Sequence, residues 1–214
     1  MLELNNLSFF RDDRCIFAQL SLAIAPGEVV QVVGPNGAGK TTLLQIATTL
    51  LQPELTPNSS NIRWRGQPLP AARDDYLSEL LFIGHKPAVN PALTVLENIR
   101  WLAGLRATRS GVTVDQAIIE IGLAGYEDAP AYSLSAGQQR RIALARLLIN
   151  DVALWVLDEP FTALDKTGVA QLTAMIEGHA SGGGAVLLTS HQPLAMPGLR
   201  QFDLLQYQPP GAVA

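Results

Sequence analysis

Short runs of consecutive apolar residues recur along the chain and alternate with stretches of helical periodicity. Glu28–Val33 (EVVQVV) is a β-branched run that stops at Gly34. Ala153–Leu157 (ALWVL) and Ala185–Thr189 (AVLLT) are apolar without alternation, the pattern of strands buried on both faces of a parallel sheet. Thr41–Leu51 puts Leu43, Leu44, Ala47, Leu50 and Leu51 on one helical face, and Val114–Ile121, Gln138–Asn150 and Val169–His179 are further helical segments. Strands alternating with helices predict α/β layering. Gln52–Gln67, rich in Pro, Asn and Ser, predicts a loop leading to a short edge strand at Ile62–Trp64. The stretch from Lys86 to Leu134 is largely helical, entered through Pro87 and Pro91 and left through Pro130, and predicts an inserted helical subdomain. The chain then divides into one domain over 1–208, with its insert at about 86–145, and a tail at 209–214 opening on Pro209-Pro210-Gly211.

Composition raises one question that the pattern answers. The 214 residues are 48% hydrophobic and 16% charged, and the mean hydropathy of +0.18 is high for a water-soluble chain. The longest stretch without Asp, Glu, Lys or Arg, Gly178–Leu199, is broken by Gly182-Gly183-Gly184, Pro193 and Pro197, so it is no candidate span. The N-terminus lacks a basic segment followed by an apolar one, so no signal peptide is expected. A net charge of −4 argues against general nucleic-acid coating, and the single Cys15 excludes an intrachain disulfide framework.

Candidate chemistry begins at Gly34-Pro35-Asn36-Gly37-Ala38-Gly39-Lys40-Thr41, which satisfies G-x-x-x-x-G-K-[ST] between a buried strand and a helix. Its glycines let backbone N–H groups turn inward to cradle phosphates, and the helix N-terminus adds partial positive charge. Lys40 can reach the β- and γ-phosphates, and the Thr41 hydroxyl can ligate Mg²⁺. Mg²⁺ and the phosphates of a nucleotide are the expected ligands. The run Ala153–Leu157 ends on Asp158-Glu159-Pro160. At the C-terminal end of a parallel strand, Asp158 is placed to hold Mg²⁺ through water and Glu159 to polarise the attacking water.

Leu134-Ser135-Ala136-Gly137-Gln138 resembles the LSGGQ signature of the ATP-binding-cassette (ABC) ATPases, with Ala136 in place of the first glycine. Phe161-Thr162-Ala163-Leu164-Asp165 resembles their D-loop, and His191, directly after Ala185–Ser190, resembles their switch histidine. The resemblance covers nearly the whole chain and implies that the nucleotide is ATP, with Mg²⁺ as its cofactor. It implies a P-loop NTPase fold with a mainly parallel central sheet, an N-terminal antiparallel β-subdomain and an inserted helical subdomain. It also implies a head-to-tail dimer with a second copy of the chain, in which Ser135, Gly137 and Gln138 of one copy face the nucleotide held by residues 34–41 and Thr42 of the other. Glu159 is then the general base, with Lys40 and His191 on the γ-phosphate and Asp165 signalling across the interface.

Two positions depart from the family pattern. His85 stands where the Q-loop glutamine is expected, eight residues before Leu93, which makes it a candidate for the metal site beside Thr41 and Asp158. Arg11 stands where an adenine-stacking aromatic is expected. A guanidinium can stack on a base, and Phe10 is adjacent, so both remain candidates.

Phe82–Pro87, Leu134–Leu147 and Leu154–Lys166 with Gly168-Val169 resemble the ATPase subunit of the bacterial cytochrome c maturation system. That resemblance implies an ATP-hydrolysing subunit on the cytoplasmic face of the inner membrane. Its implied partner is an integral membrane permease, and the complex serves heme export or heme delivery to a periplasmic chaperone. A transporter of another small molecule would use the same cassette chemistry. No C-x-x-C-H is present, and Cys15 is far from the three histidines in sequence, so direct heme binding by this chain is not expected.

Overall fold

Strand β3 (Val29–Val33) lies between two strands that come much later in the chain, β8 (Ala185–Thr189) and β9 (Leu199–Asp203). With β6 (Leu80–Ile83) and β7 (Leu154–Leu157) they form a five-stranded parallel sheet of order β6-β7-β8-β3-β9. The computed structural model describes residues 1–12, 14–53, 62–105, 109 and 111–208. The expected tail at 209–214 and most of the loop after Gln52 lie outside them.

Strands β7 and β8 are buried at every position, as unalternating apolar runs require. One face of the sheet packs on α1 (Lys40–Ala47), α2 (Leu69–Ser78) and a second sheet, the other on α5 (Ala136–Ile149) and α6 (Lys166–Ser181). The second sheet is antiparallel, of order β2-β1-β4-β5, built from β1 (Leu2–Arg11), β2 (Arg14–Ile24), β4 (Ile62–Trp64) and β5 (Gln67–Pro68). A third apolar cluster joins α3 (Val95–Gly104), α4 (Val114–Glu120) and the outer face of α5 through Ile99, Leu102, Ile118 and Ile142. Among the described residues no helix is long and apolar enough to cross a membrane. The apolar composition instead fills these three clusters.

The structure corrects three expectations. Ile62–Trp64 is not an edge strand: β4 pairs with β1 on one side and with β5 on the other. The first helix stops at Ala47 rather than Leu51, because Thr49 takes a left-handed conformation (φ 60°) and Tyr76 donates to the Ala47 carbonyl. The stretch before Val95 is irregular rather than helical, and is held by main-chain bonds from Ala131 to Leu93 and from Tyr132 to Pro91 and by the buried Asn98 side chain. Asn98 accepts from the Asn90 N–H (2.8 Å) and donates to the carbonyls of Asn90, Leu93 and Thr94.

Candidate functional site

Strand order decides where the chemistry collects. The C-terminal ends of β6, β7, β8 and β3, neighbours in the sheet, carry His85, Asp158-Glu159, His191 and the glycine-rich loop respectively. Ligands of open parallel sheets bind at that edge. A cavity of about 460 Å³ opens there, lined by Arg11, Ile16, Asn36, Gly37, Gly39, Lys40, Thr41, Thr42, His85, Glu159 and His191. Arg11 therefore shares a cavity with the phosphate loop, whereas Phe10 is not among the residues lining it.

The loop from Gly34 to Gly39 depends on glycine where backbone meets side chain. Gly39 caps α1 with φ 99°, and a Cβ there would lie 2.4 Å from Ile16 Cγ2. Gly37 also has positive φ (81°), while Ala38 N donates to the Pro35 carbonyl (3.2 Å). Lys40 is buried, and its Nζ donates to the carbonyls of Gly34 (2.7 Å) and Pro35 (3.0 Å), which fixes the ammonium inside the loop's curve.

Thr41 Oγ1 donates to Asp158 Oδ1 (3.2 Å), and the fully buried Thr189 hydroxyl donates to the same oxygen (2.8 Å). That same Thr189 oxygen accepts from the Glu159 N–H (2.9 Å). Glu159 has φ 49°, a left-handed conformation that costs a non-glycine residue about 1 kcal/mol or more. Its Oε2 accepts from the His191 N–H (3.0 Å). Its Oε1 is buried without a hydrogen-bond partner, and His191 Nε2 at 3.6 Å is too far to be one. Glu159 lines the phosphate-loop cavity, and a carboxylate held there is suited to accept a proton. Among the described residues no three His, Cys, Asp or Glu side chains gather into a metal cluster. The hydroxyl of Thr41 and the carboxylate of Asp158 are hard oxygen donors, the set that suits Mg²⁺ held mainly by a nucleotide's phosphates.

The signature residues are not among those lining this cavity. Ser135 and Gln138 cap α5 reciprocally: Gln138 N donates to Ser135 Oγ (3.3 Å), and Ser135 N to Gln138 Oε1 (2.9 Å). Gly137 approaches the D-loop so closely that a Cβ would lie 2.5 Å from the Ala163 carbonyl oxygen. Asp165 caps α6 through the Gly168 N–H (2.8 Å) and pairs with Arg141 (2.6 Å), and these bonds, the Gly168 one first, hold its carboxyl below the usual range.

Sequence reasoning missed Thr189 and Arg140. Thr189 read as the last residue of a strand. Arg140 falls inside the helical segment Gln138–Asn150, yet it is 3% exposed and donates to main-chain carbonyls of Gly84 (2.8 Å), Asp158 (2.9 Å) and Glu159 (2.8 Å). Burial pushes its pKa down, opposed by the charges of Asp158 and Glu159. No local signal marks it, because its partners are distant backbone.

Comparison with known proteins agrees with this geometry. The profile of the ABC transporter family matches residues 17–162. The cytochrome c biogenesis ATP-binding export protein CcmA of Yersinia pestis bv. Antiqua (strain Nepal516) is 48% identical over 194 residues, 91% of this chain and 87% of that protein. The CcmA of Hahella chejuensis (strain KCTC 2396) is 48% identical over 205 residues, 95% of each chain. An ABC transporter ATP-binding chain from Pyrococcus furiosus superposes with a TM-score of 0.80 at 25% identity, covering 97% of this chain and 99% of that one. A dimeric bacterial ABC transporter cassette superposes with a TM-score of 0.77 at 22% identity, covering 95% of each. The chain belongs to the ABC transporter family as an ATPase, within the group of cytochrome c biogenesis ATP-binding export proteins.

Proposed function

We propose that this chain hydrolyses ATP for an inner-membrane ABC complex that exports heme, or delivers it to a periplasmic heme chaperone, during c-type cytochrome biogenesis. The observation that carries the reading is the 48% identity to CcmA proteins over nine-tenths of the chain, together with an intact phosphate loop and Glu159.

In this reading the backbone of residues 34–41 cradles the phosphates, with Thr42 following and Arg11 against the adenine. Lys40 turns its ammonium from the loop carbonyls to the β- and γ-phosphates. Thr41 and Asp158 hold Mg²⁺, with His85 beside them. A magnesium ion bound there would neutralise charge on the nucleotide's phosphates. Water attacks the γ-phosphorus as its proton passes to the Glu159 carboxylate; the bond to the β,γ-bridging oxygen breaks, and ADP and inorganic phosphate leave. His191 holds the γ-phosphate oxygens. Ser135, Gly137 and Gln138 of a second copy close the site over the nucleotide, and Asp165 carries the contact across the interface.

The region 86–145 acts as the helical insert that docks the membrane permease. Exposed Trp101 (56%) and Tyr132 (70%) support that role, since large aromatics on a surface are suited to a partner. The chain then works as a peripheral subunit at the cytoplasmic face, with residues 1–208 as one nucleotide-binding domain, 209–214 as its tail, and no heme contact of its own.

Complementation tests this. In a strain lacking the chain, the wild type restores holo-cytochrome c, while Glu159→Gln does not and still binds ATP when purified. Normal holo-cytochrome c without the chain would refute the assignment.

A further inference from the structure

Arg140 lies on α5, little more than one turn beyond the signature Ser135, and its whole guanidinium is spent on main-chain carbonyls. Nη1 donates to Gly84 (2.8 Å) and His85 (3.3 Å), Nη2 to Asp158 (2.9 Å) and Glu159 (2.8 Å), and Nε to Pro160 (3.3 Å). These carbonyls belong to two segments, the ends of β6 and β7, separated by more than seventy positions in sequence. One planar side chain thus ties the signature helix to the His85 loop and to the acid pair. A guanidinium can do this because its N–H groups point outward in a rigid fork; an ammonium, a single point with three donors, cannot span both segments.

The Glu159 backbone is where the clamp matters. Its left-handed conformation (φ 49°) is not one this residue type adopts unaided. Its N–H is held by Thr189, its carboxylate by the His191 N–H, and its carbonyl by Arg140. Thr189 and His191 come from the β8 side. Arg140 is the anchor that comes from the signature helix.

We propose that Arg140 is a positioning residue for hydrolysis: it sets the Glu159 carboxylate in register with the His85 loop and passes any displacement of the signature helix to both. The assignment rests on Glu159 being the base. Arg140 touches no reacting atom, and none of its hydrogen bonds is to a residue of the phosphate loop. Its loss lowers turnover without weakening nucleotide binding.

Arg140→Met (similar reach, no donors), Arg140→Lys and Glu159→Gln are compared in the full chain by Mg-ATP titration, steady-state hydrolysis and thermal melting. Arg140→Met should lower kcat by about 10- to 100-fold, the effect of misplacing a group on the ångström scale. Its ATP Kd and KM should stay within about threefold of wild type. Arg140→Lys, which keeps the charge and regains some of the carbonyls, should fall between. An unchanged kcat, or equal losses in kcat and affinity, overturns the proposal. If Arg140→Met does not fold, Arg140→Lys decides by the same split. Retained turnover in Glu159→Gln would sink the base and this inference together. A dead Glu159→Gln beside Arg140 variants at wild-type kcat would sink the positioning role alone.

Discussion

Replacing Thr189 by Val removes one oxygen from the centre of the site and leaves its shape unchanged. The hydroxyl accepts from the Glu159 N–H at 2.9 Å and donates to Asp158 Oδ1 at 2.8 Å, and the residue is fully buried. In Thr189→Val the Glu159 amide loses that partner, at about 1–3 kcal/mol for an unsatisfied buried donor. Asp158 loses a hydrogen bond to a charged group, about 1.5–3 kcal/mol, though the Thr41 hydroxyl remains on the same oxygen. The extra buried methyl returns about 0.8 kcal/mol. The net expectation is a loss of about 2–5 kcal/mol, a fall of about 0.6–1.7 M in the urea midpoint at an m-value of about 3 kcal/mol/M. Because Glu159 needs that bond to stay left-handed, kcat should fall too. Thr189→Ser keeps the hydroxyl and should recover turnover, giving up about 0.8 kcal/mol for its missing methyl. A Thr189→Val midpoint within about 0.2 M of wild type would refute the reasoning, since isosteric replacement would then leave no group unsatisfied.

Other expectations follow from single contacts. His179 stacks on Trp155 (3.8 Å between centroids), and burial lowers its pKa from the ordinary 6.5 to about 4. The unfolded chain therefore binds more protons than the native one between those values, and stability is full above pH 6.5 and declines as pH falls toward 4. With the imidazole only half-buried the loss is about 1–2 kcal/mol, and His179→Phe should flatten that part of the denaturation profile; an unaltered slope would exclude His179 as its source. Gly137→Ala drives a Cβ onto the Ala163 carbonyl, so it should destabilise by about 1–3 kcal/mol in urea titration, and a neutral result would mean that the D-loop yields freely. Ser135→Arg should spare nucleotide binding by one chain and block hydrolysis; unchanged ATPase rates would contradict closure of the site by a second copy.

The legible parts of the fold were those whose signal is local. The runs at Leu154–Leu157 and Ala185–Thr189 announce burial on both faces, and they are strands buried throughout. The phosphate loop is a contiguous motif, and the structure places it between β3 and α1. The N-terminal hairpin, by contrast, was available only through family resemblance. The β1–β2 register shifts three times, and left-handed Asn6 and Gln19 break the alternation that would mark two strands. Strand β9 escaped because it lies at a sheet edge, with Phe202 its one buried position. The site divides the same way. Lys40, Thr41, Asp158 and Glu159 are read from short motifs. Arg140 and Thr189 act through backbone groups and distant side chains, so no spacing along the chain betrays them.

The placement of β3 between β8 and β9 has a consequence for biosynthesis. The strand that leads into the phosphate loop is made early, but both of its neighbours lie beyond Gly184 and emerge long after it. Until then two open strand edges wait unpaired, a state prone to misassociation. The loop itself is finished later still: Gln208 Nε2 donates to the Ala38 carbonyl at 3.0 Å, across 170 positions. A nascent chain stalled before β8 should therefore display the entire phosphate-loop motif and fail to retain nucleotide, so that ATP binding reports the arrival of β8 and β9 beside β3.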